Sequence, residues 1–200
     1  MHAAHDAPLL LVIAGPDGAG KSSFAPSLLL HYPADLPYLD FDQIASARGP
    51  GDAPGARMGA GREMLTKLRA LTLRRGSFAL ETTLSEFSIR QRLTDLVAQG
   101  YRLHLHFLWL PHPEMAVARV AARVSLGGHD VTPSLIRCQY EGGLRNFENG
   151  VRMLTERWFA YDAFSAPRPR LVAQGGPGDD VSIDDLALWV SMRMRRRDAR

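Results

Sequence analysis

The strongest constraint on the fold of this chain is a glycine-rich loop near its amino terminus. The loop has the pattern G-x-x-x-x-G-K-[ST] and consists of Gly15, Pro16, Asp17, Gly18, Ala19, Gly20, Lys21 and Ser22. It follows a continuous apolar run over 8–14, which is typical of a parallel strand buried on both faces. A helix is predicted directly after it, over 21–31. Because a strand precedes the pattern and a helix follows it, the segment predicts a phosphate-binding P-loop.

Each residue type in this loop has a use in holding a nucleotide. Glycines let the backbone wrap around phosphate oxygens, with its N–H groups and the positive end of the helix dipole pointing inward. Lys21 is predicted to reach the β- and γ-phosphates, and the Ser22 hydroxyl to ligate magnesium, with Ser23 completing the nucleotide-binding segment. The predicted cofactors are therefore ATP and Mg²⁺. The loop alone does not distinguish a kinase from an ATPase or a nucleotide-driven switch.

Strands and helices are predicted to alternate along the rest of the chain. Further strands are predicted over 37–41, 77–81, 101–110 and 170–173, and further helices over 58–74, 87–99, 114–126, 133–164 and 183–195. This order predicts an α/β fold of the P-loop NTPase, nucleotide-kinase-like type. We expect a parallel sheet of about five strands with helices on both faces and a helical lid over about 119–145. At this length the segment 1–200 is predicted to form one domain.

The composition favours a cytoplasmic enzyme that acts on anionic substrates. The 200 residues are 46% hydrophobic, but the chain has no apolar run long enough to span a bilayer, and 1–7 lacks a basic patch with a long apolar segment. A net charge of +3 suits nucleotides and disfavours nucleic acid as a partner. The single cysteine excludes an internal disulfide.

Acidic residues follow the predicted second and third strands. Asp40 and Asp42 end the second strand and Glu81 ends the third. Ligands of open parallel sheets bind beyond the carboxyl ends of the strands, so these carboxylates are candidates for a general base and a magnesium ligand. Strand alternation directs Asp40 and Asp42 to the same side, and we favour Asp42 as the base because it stands further out. The structural alternative for Asp42 is a helix cap.

Arginines around a glycine-containing break suggest a lid. Arg119 and Arg123 are four residues apart on one predicted helix face, ahead of the break at 127–130. Two such guanidiniums can close over a transferring phosphoryl group, although arginines on a helix also form solvated faces. His104 and His106 alternate along the fourth strand, where packing is favoured over metal binding because no third ligand lies nearby.

Four ordered segments together resemble the zeta-toxin family of P-loop kinases. They are GPDGAGKSSF, YLDFDQIA, ETTLS and YRLHLHFLWLPHPEMAVARVAARVSLGGHDV, and the similarity spans 9–161. The resemblance implies a nucleotide-kinase fold and ATP- and magnesium-dependent phosphorylation of a sugar hydroxyl, as on UDP-N-acetylglucosamine. It also implies an antitoxin protein as partner.

The resemblance further implies roles for individual residues. Lys21 would bind phosphate, Ser22 would hold magnesium, and Asp42 would be the general base. Glu81 and Thr83 would lie on the substrate and metal side, and Arg119 or Arg123 would supply the lid cation. From its place at the strand end, Asp40 is also predicted to bind substrate. The alternative functions are an ATPase or switch protein, which needs no acceptor, and a nucleic-acid end kinase, which needs a continuous basic groove.

Overall fold

The fold is built on one seven-stranded sheet. The structure is a computed structural model that describes residues 7–48, 54–164, 168–177 and 181–198; the side chains of 54–57 and 196–198 lie outside that description. The strand order is β2-β3-β1-β4-β5-β6-β7. The strands are β1 Leu9–Ala14, β2 Tyr38–Leu39, β3 Phe78–Thr82, β4 Arg102–Trp109, β5 Arg157–Asp162, β6 Arg170–Gly175 and β7 Val181–Ile183.

Helices connect the strands and cover both faces of the sheet. They are α1 Lys21–Leu29, α2 Phe41–Ser46, α3 Pro54–Leu73, α4 Phe87–Ala98, α5 Pro113–Ser125, α6 Pro133–Asn146, α7 Arg152–Leu154 and α8 Leu186–Asp198, with a π-helical turn Phe147–Val151 between α6 and α7. Successive β4 residues show the two faces: His106 hydrogen-bonds to Tyr32 after α1, whereas Phe107 stacks on Phe147 of the π-helical turn. No helix within the described ranges combines the length and apolarity needed to cross a membrane.

The core is centred on β1, the middle strand of the parallel part of the sheet. Leu10, Leu11, Val12, Ile13 and Ala14 are all completely buried. β1 pairs in parallel with β3 on one side and β4 on the other, which explains its continuous apolar composition. The carboxyl ends of β1, β2 and β3 therefore meet at one edge, and the predicted P-loop and acidic residues emerge there together.

The predicted α/β class and P-loop kinase-like fold are confirmed, but the expected count of about five strands is wrong. The sheet has seven strands, and β6 runs antiparallel to both β5 and β7. The helix predicted over 133–164 ends at Leu154, and Arg157–Asp162 forms β5. In β5 Trp158, Ala160 and Asp162 are buried, while Phe159 and Tyr161 between them are less so, which is strand periodicity. The single domain over 1–200 and the lid over 119–145 stay predictions.

Two glycines of α6 allow close contact with the loop that follows β3. A Cβ on Gly143 would lie 2.7 Å from the carbonyl oxygen of Thr83, and one on Gly142 would lie 2.9 Å from that of Ser85. Both glycines are helical, so they are retained for packing rather than for helix termination. α6 is therefore seated directly on the backbone of the β3–α4 loop.

We expect opposite effects when two helical glycines are changed to alanine. Gly143→Ala forces the backbone at Thr83 to move and should lower the free energy of unfolding by about 1–3 kcal/mol. Gly61→Ala in α3 should raise it by up to about 1 kcal/mol, because its Cβ would meet only Phe41, at 3.9 Å. Urea denaturation measures the free energy of unfolding of both variants. Equal stability of the two variants would contradict the close contact between Gly143 and the Thr83 carbonyl.

Candidate active site

The P-loop is held by close backbone contacts with β4 and α5. Gly15 and Gly18 have φ values of 149° and 82°, and a Cβ on them would lie 2.5 Å from the Leu108 oxygen and 2.6 Å from the Ala116 oxygen. Gly20 also has a positive φ, of 86°, and precedes α1. The loop thus needs glycine both for its turn and for the proximity of its neighbours.

Lys21 is buried within the loop and surrounded by oxygen atoms. Its residue surface is 6% exposed. The Nζ atom donates to the Pro16 carbonyl at 3.1 Å and lies 3.6 Å from Asp17 Oδ1 and 3.8 Å from Glu81 Oε1. These two carboxylates offset the positive charge of Lys21 where phosphates would bind, so a further cation would favour binding of a polyanion there.

Glu81 links the P-loop to β2. Its Oε1 accepts a hydrogen bond from Ser22 Oγ at 3.1 Å, and its Oε2 accepts one from the Tyr38 hydroxyl. Burial raises the pKa of Glu81, and the nearby Lys21 ammonium and the Tyr38 hydroxyl partly offset that rise. Burial and the neighbouring carboxylate raise the pKa of Tyr38, so it remains a protonated donor.

The structure separates the two acidic residues near β2. The strand ends at Leu39, so Asp40 and Asp42 do not alternate along it as the sequence suggested. Asp40 is the N-cap of α2: its Oδ1 accepts from Asp42 N at 2.9 Å and Gln43 N at 3.4 Å. Burial raises the pKa of Asp40, against the lowering effect of those two N–H groups. The cap predicted as the alternative for Asp42 therefore belongs to Asp40, and Asp42 lies in the first turn of α2.

The loop after β3 is tightly fixed. Leu84 is completely buried and has a φ of 60°, which is a strained backbone conformation for leucine. Its N–H donates to Thr82 Oγ1 at 3.0 Å, and its carbonyl accepts from Asn146 Nδ2 at 2.8 Å. The Thr83 and Ser85 hydroxyls are 2.8 Å apart. Thr83 is consequently presented to the site by a loop that its neighbours constrain.

The two candidate lid arginines have different surroundings. Arg119 Nη1 donates to the Gly18 carbonyl of the P-loop at 3.4 Å, whereas Arg123 Nη2 donates to the His129 carbonyl at 3.0 Å. Gln139 of α6 also reaches the P-loop, because its Oε1 accepts from Asp17 N at 3.4 Å. Arg119 is thus beside the predicted phosphate site, and Arg123 braces the α5–α6 loop.

A cavity of about 620 Å³ connects these groups. Its floor contains Lys21, Asp40, Asp42 and Glu81; one wall is formed by α3 and α4 and the other by residues 129–132 and α6. Thr83, Ile89 and Arg92 also line it. Every predicted substrate-side residue, namely Asp40, Asp42, Glu81 and Thr83, therefore faces one space.

The sequence interpretation missed Tyr38, Gln139 and Arg92. Tyr38 stands two residues before Asp40 in a predicted strand, so alternation could have placed it on the same side. Nothing local identifies Gln139 or Arg92, because tertiary packing brings their helices to the cavity. His104 and His106 are buried, and both contact the Tyr32 hydroxyl, at 3.3 and 3.0 Å. Burial lowers the pKa of His106 to about 3.

The floor of the cavity is chemically suited to magnesium held together with phosphates. Within the described ranges, no three His, Cys, Asp or Glu side chains converge on a metal position. Magnesium commonly binds through one or two protein oxygens plus phosphate and water, so Ser22 Oγ and the Glu81 carboxylate are an adequate donor set. The buried Asp40 Oδ2 has no hydrogen-bond partner among the described residues and is a further oxygen that a hydrated cation could satisfy.

The strand order, the P-loop and the acidic strand ends define a P-loop protein of the nucleotide-kinase type. The sequence model of the Zeta toxin family matches residues 2–158. This chain therefore belongs to the zeta toxin family, as its sequence motifs suggested.

The chain is also similar to a bacterial relative, and its fold is similar to those of solved structures. An uncharacterized protein of Haemophilus influenzae is 29% identical over 126 residues, which are 63% of this chain and 88% of that protein. A structure of AvrRxo1-ORF1:-ORF2 with ATP has a TM-score of 0.69 at 14% identity, covering 92% of this chain but only 63% of that chain. The PezAT toxin–antitoxin system of Streptococcus pneumoniae has a TM-score of 0.60 at 15% identity, covering 97% and 86%. Family and fold support a nucleotide-dependent kinase.

We expect the Tyr38→Phe substitution to raise the pKa of Glu81 further. The hydroxyl stabilises the ionised carboxylate, so its loss favours the protonated form. Carboxyl ¹³C NMR titration of the nucleotide-free protein measures this directly. Tyr32→Phe is the control, because that hydroxyl contacts His104 and His106 instead. An unchanged Glu81 titration in Tyr38→Phe would refute the role of this hydrogen bond.

Proposed function

We propose that this protein is an ATP- and Mg²⁺-dependent kinase that transfers the γ-phosphate to a hydroxyl of a small metabolite, with UDP-N-acetylglucosamine as the first acceptor to test. The observation that carries the proposal is the single cavity that joins buried Lys21 to Asp42 and Glu81. Membership of the zeta toxin family supports the phosphotransferase class. A space of about 620 Å³ is large enough for an acceptor beside the phosphates.

The nucleotide phosphates would bind along the P-loop backbone with Lys21 at the β- and γ-phosphates. The nucleotide-binding segment Gly15–Ser23 supplies N–H groups at the start of α1. Ser22 and Glu81 would hold magnesium, which would supply positive charge to neutralise the phosphates. This is needed because Asp17 and Glu81 already compensate Lys21 in the free protein.

Asp42 is the proposed general base. The acceptor hydroxyl oxygen forms a bond to the γ-phosphorus, the bond to the β–γ bridging oxygen breaks, ADP leaves, and the hydroxyl proton passes to the Asp42 carboxylate. Asp42 suits this role better than Asp40, whose Oδ1 is occupied by two backbone N–H groups. Thr83 and Asp40 are assigned to the acceptor side, where both line the cavity.

Arg119 is the proposed lid cation and α5–α6 the proposed lid over 119–145. Its guanidinium already lies at the P-loop, so a small movement of α5 would bring it onto the transferring phosphoryl group. Arg123 would fix the α5–α6 loop through the His129 carbonyl. A partner antitoxin is proposed from the likeness to the PezAT structure, and a cytoplasmic location is proposed from the sequence.

The decisive experiment compares two aspartate variants in an ADP-release assay. With ATP, magnesium and UDP-N-acetylglucosamine, Asp42→Asn should lower kcat by about 10²- to 10⁴-fold. Asp35→Asn is the matched control and should stay active, because Asp35 is exposed and lies outside the cavity. Lys21→Ala should abolish turnover. Equal ADP release without acceptor, unaffected by Asp42→Asn, would instead identify an ATPase or switch protein.

We expect Arg119→Gln to lower kcat by about 10²- to 10³-fold, through loss of a cation at the transferring phosphoryl group. Arg137→Gln provides the control on the same pair of helices, because Arg137 forms an exposed ion pair with Glu114 at 2.7 Å. Steady-state kinetics with saturating ATP measure both variants. A larger loss in Arg123→Gln than in Arg119→Gln would transfer the role to Arg123.

A further inference from the structure

Arg92 is a charged residue of the cavity wall that forms no ion pair with the residues that the structure describes. It lies on α4, is half-buried and lines the same cavity as Lys21 and Asp42. Throughout the residues that the structure describes, its guanidinium makes no hydrogen bond and no ion pair. A guanidinium has five N–H donors, so Arg92 has several donors available to hydrogen-bond a ligand in the cavity.

The neighbouring acidic groups have other partners. Glu86, at the start of α4, accepts a hydrogen bond from Ser88 Oγ at 3.0 Å. Asp95, one turn after Arg92, accepts one from Gln91 Nε2 at 2.8 Å. Lys21, which lines the same cavity, is compensated by Asp17 and Glu81. Arg92 therefore differs from its surroundings in having its charge available.

The surroundings of Arg92 would strengthen binding of an anion. Met64 and Leu68 of α3 and Ile89, one turn earlier on α4, line the cavity with it. Apolar neighbours lower the local dielectric constant, so a charge-assisted hydrogen bond is stronger here than in water. Arg92 also borders a second groove of about 250 Å³ between α3 and α4, into which a substituent of the acceptor could extend.

We propose that Arg92 determines acceptor specificity by binding an anionic group, a carboxylate or a phosphate, that the acceptor carries apart from its reacting hydroxyl. This rests on the proposed kinase function and adds the chemical class of the acceptor. Asp42 would take the hydroxyl at the floor of the cavity, and the Arg92 guanidinium would bind the anion bidentately at the α4 wall. Neutral analogues would lose this contact and bind more weakly.

The test measures ADP release with matched pairs of charged and neutral acceptors. The pairs are UDP-N-acetylglucosamine with N-acetylglucosamine, glycerol 3-phosphate with glycerol, and glucuronate with glucose. The wild-type protein should favour the anionic member of the pair that it accepts. Arg92→Gln should raise KM for that member by about 10- to 100-fold, and change KM for the neutral member by less than about two-fold.

Two further variants separate binding from structure. Arg90→Gln removes the same charge from α4 outside both the cavity and the groove, and should leave KM unchanged. Arg92→Lys keeps the charge but not the planar fork, and should fall between wild type and Arg92→Gln. The carboxylate and phosphate pairs show which anion is recognised.

The outcomes distinguish this inference from the function on which it rests. Turnover that is equal for both members of every pair, or an equal loss on both members in Arg92→Gln, would overturn the role of Arg92 while leaving the kinase intact. If Arg92→Gln does not fold, the selectivity of Arg92→Lys decides the same question. ADP release that no acceptor stimulates would overturn the proposed kinase function itself.

Discussion

The Glu81 carboxylate is the interaction on which the geometry of the site depends. It is mostly buried, yet it binds the Ser22 hydroxyl of the P-loop and the Tyr38 hydroxyl of β2, and it lies near the Lys21 ammonium. Three neighbouring strand ends are thereby connected through one side chain. Burying a carboxylate without such partners costs free energy. The Glu81 carboxylate therefore favours the positions of the P-loop and β2 in which the Ser22 and Tyr38 hydroxyls donate to it. The compensation also explains why Lys21 is stable in the interior before a nucleotide binds.

Much of the fold could be predicted because its signals are local. Residues 8–29 contain the apolar run of β1, the glycine pattern and the following helix. The strand before the glycine pattern and the helix after it identify the pattern as a P-loop. The sequence also predicted that the acidic residues after β2 and β3 would share an edge, which follows from parallel pairing alone. Asp40, Asp42, Glu81 and Thr83 do line one cavity. Their chemical roles stay predictions, because proximity does not establish function.

What could not be predicted depends on tertiary contacts. The β5 segment follows α7 after only two residues, so helical and strand patterns merge in the sequence. The early end of β2 at Leu39 made Asp40 a helix cap, and no sequence pattern distinguished it from Asp42. Arg92 lies on a helix with ordinary amphipathic spacing, and only the packing of α4 beside α3 makes it part of a cavity. The strand count was therefore the weakest prediction and the cavity walls were not predicted, whereas the P-loop strand and helix were the strongest predictions.

The rigid loop after β3 has a consequence for how such proteins diversify. Leu84 with its positive φ, the Asn146 hydrogen bond and the glycine contacts of α6 all constrain the backbone that presents Thr83. A substitution here disturbs several elements at once, so this wall of the cavity has little evolutionary freedom. Side chains of α3 and α4, such as Met64 and Ile89, also line the cavity. Their replacement would leave the backbone of the catalytic floor in place. Divergence of acceptor preference among related chains should therefore concentrate on those two helices.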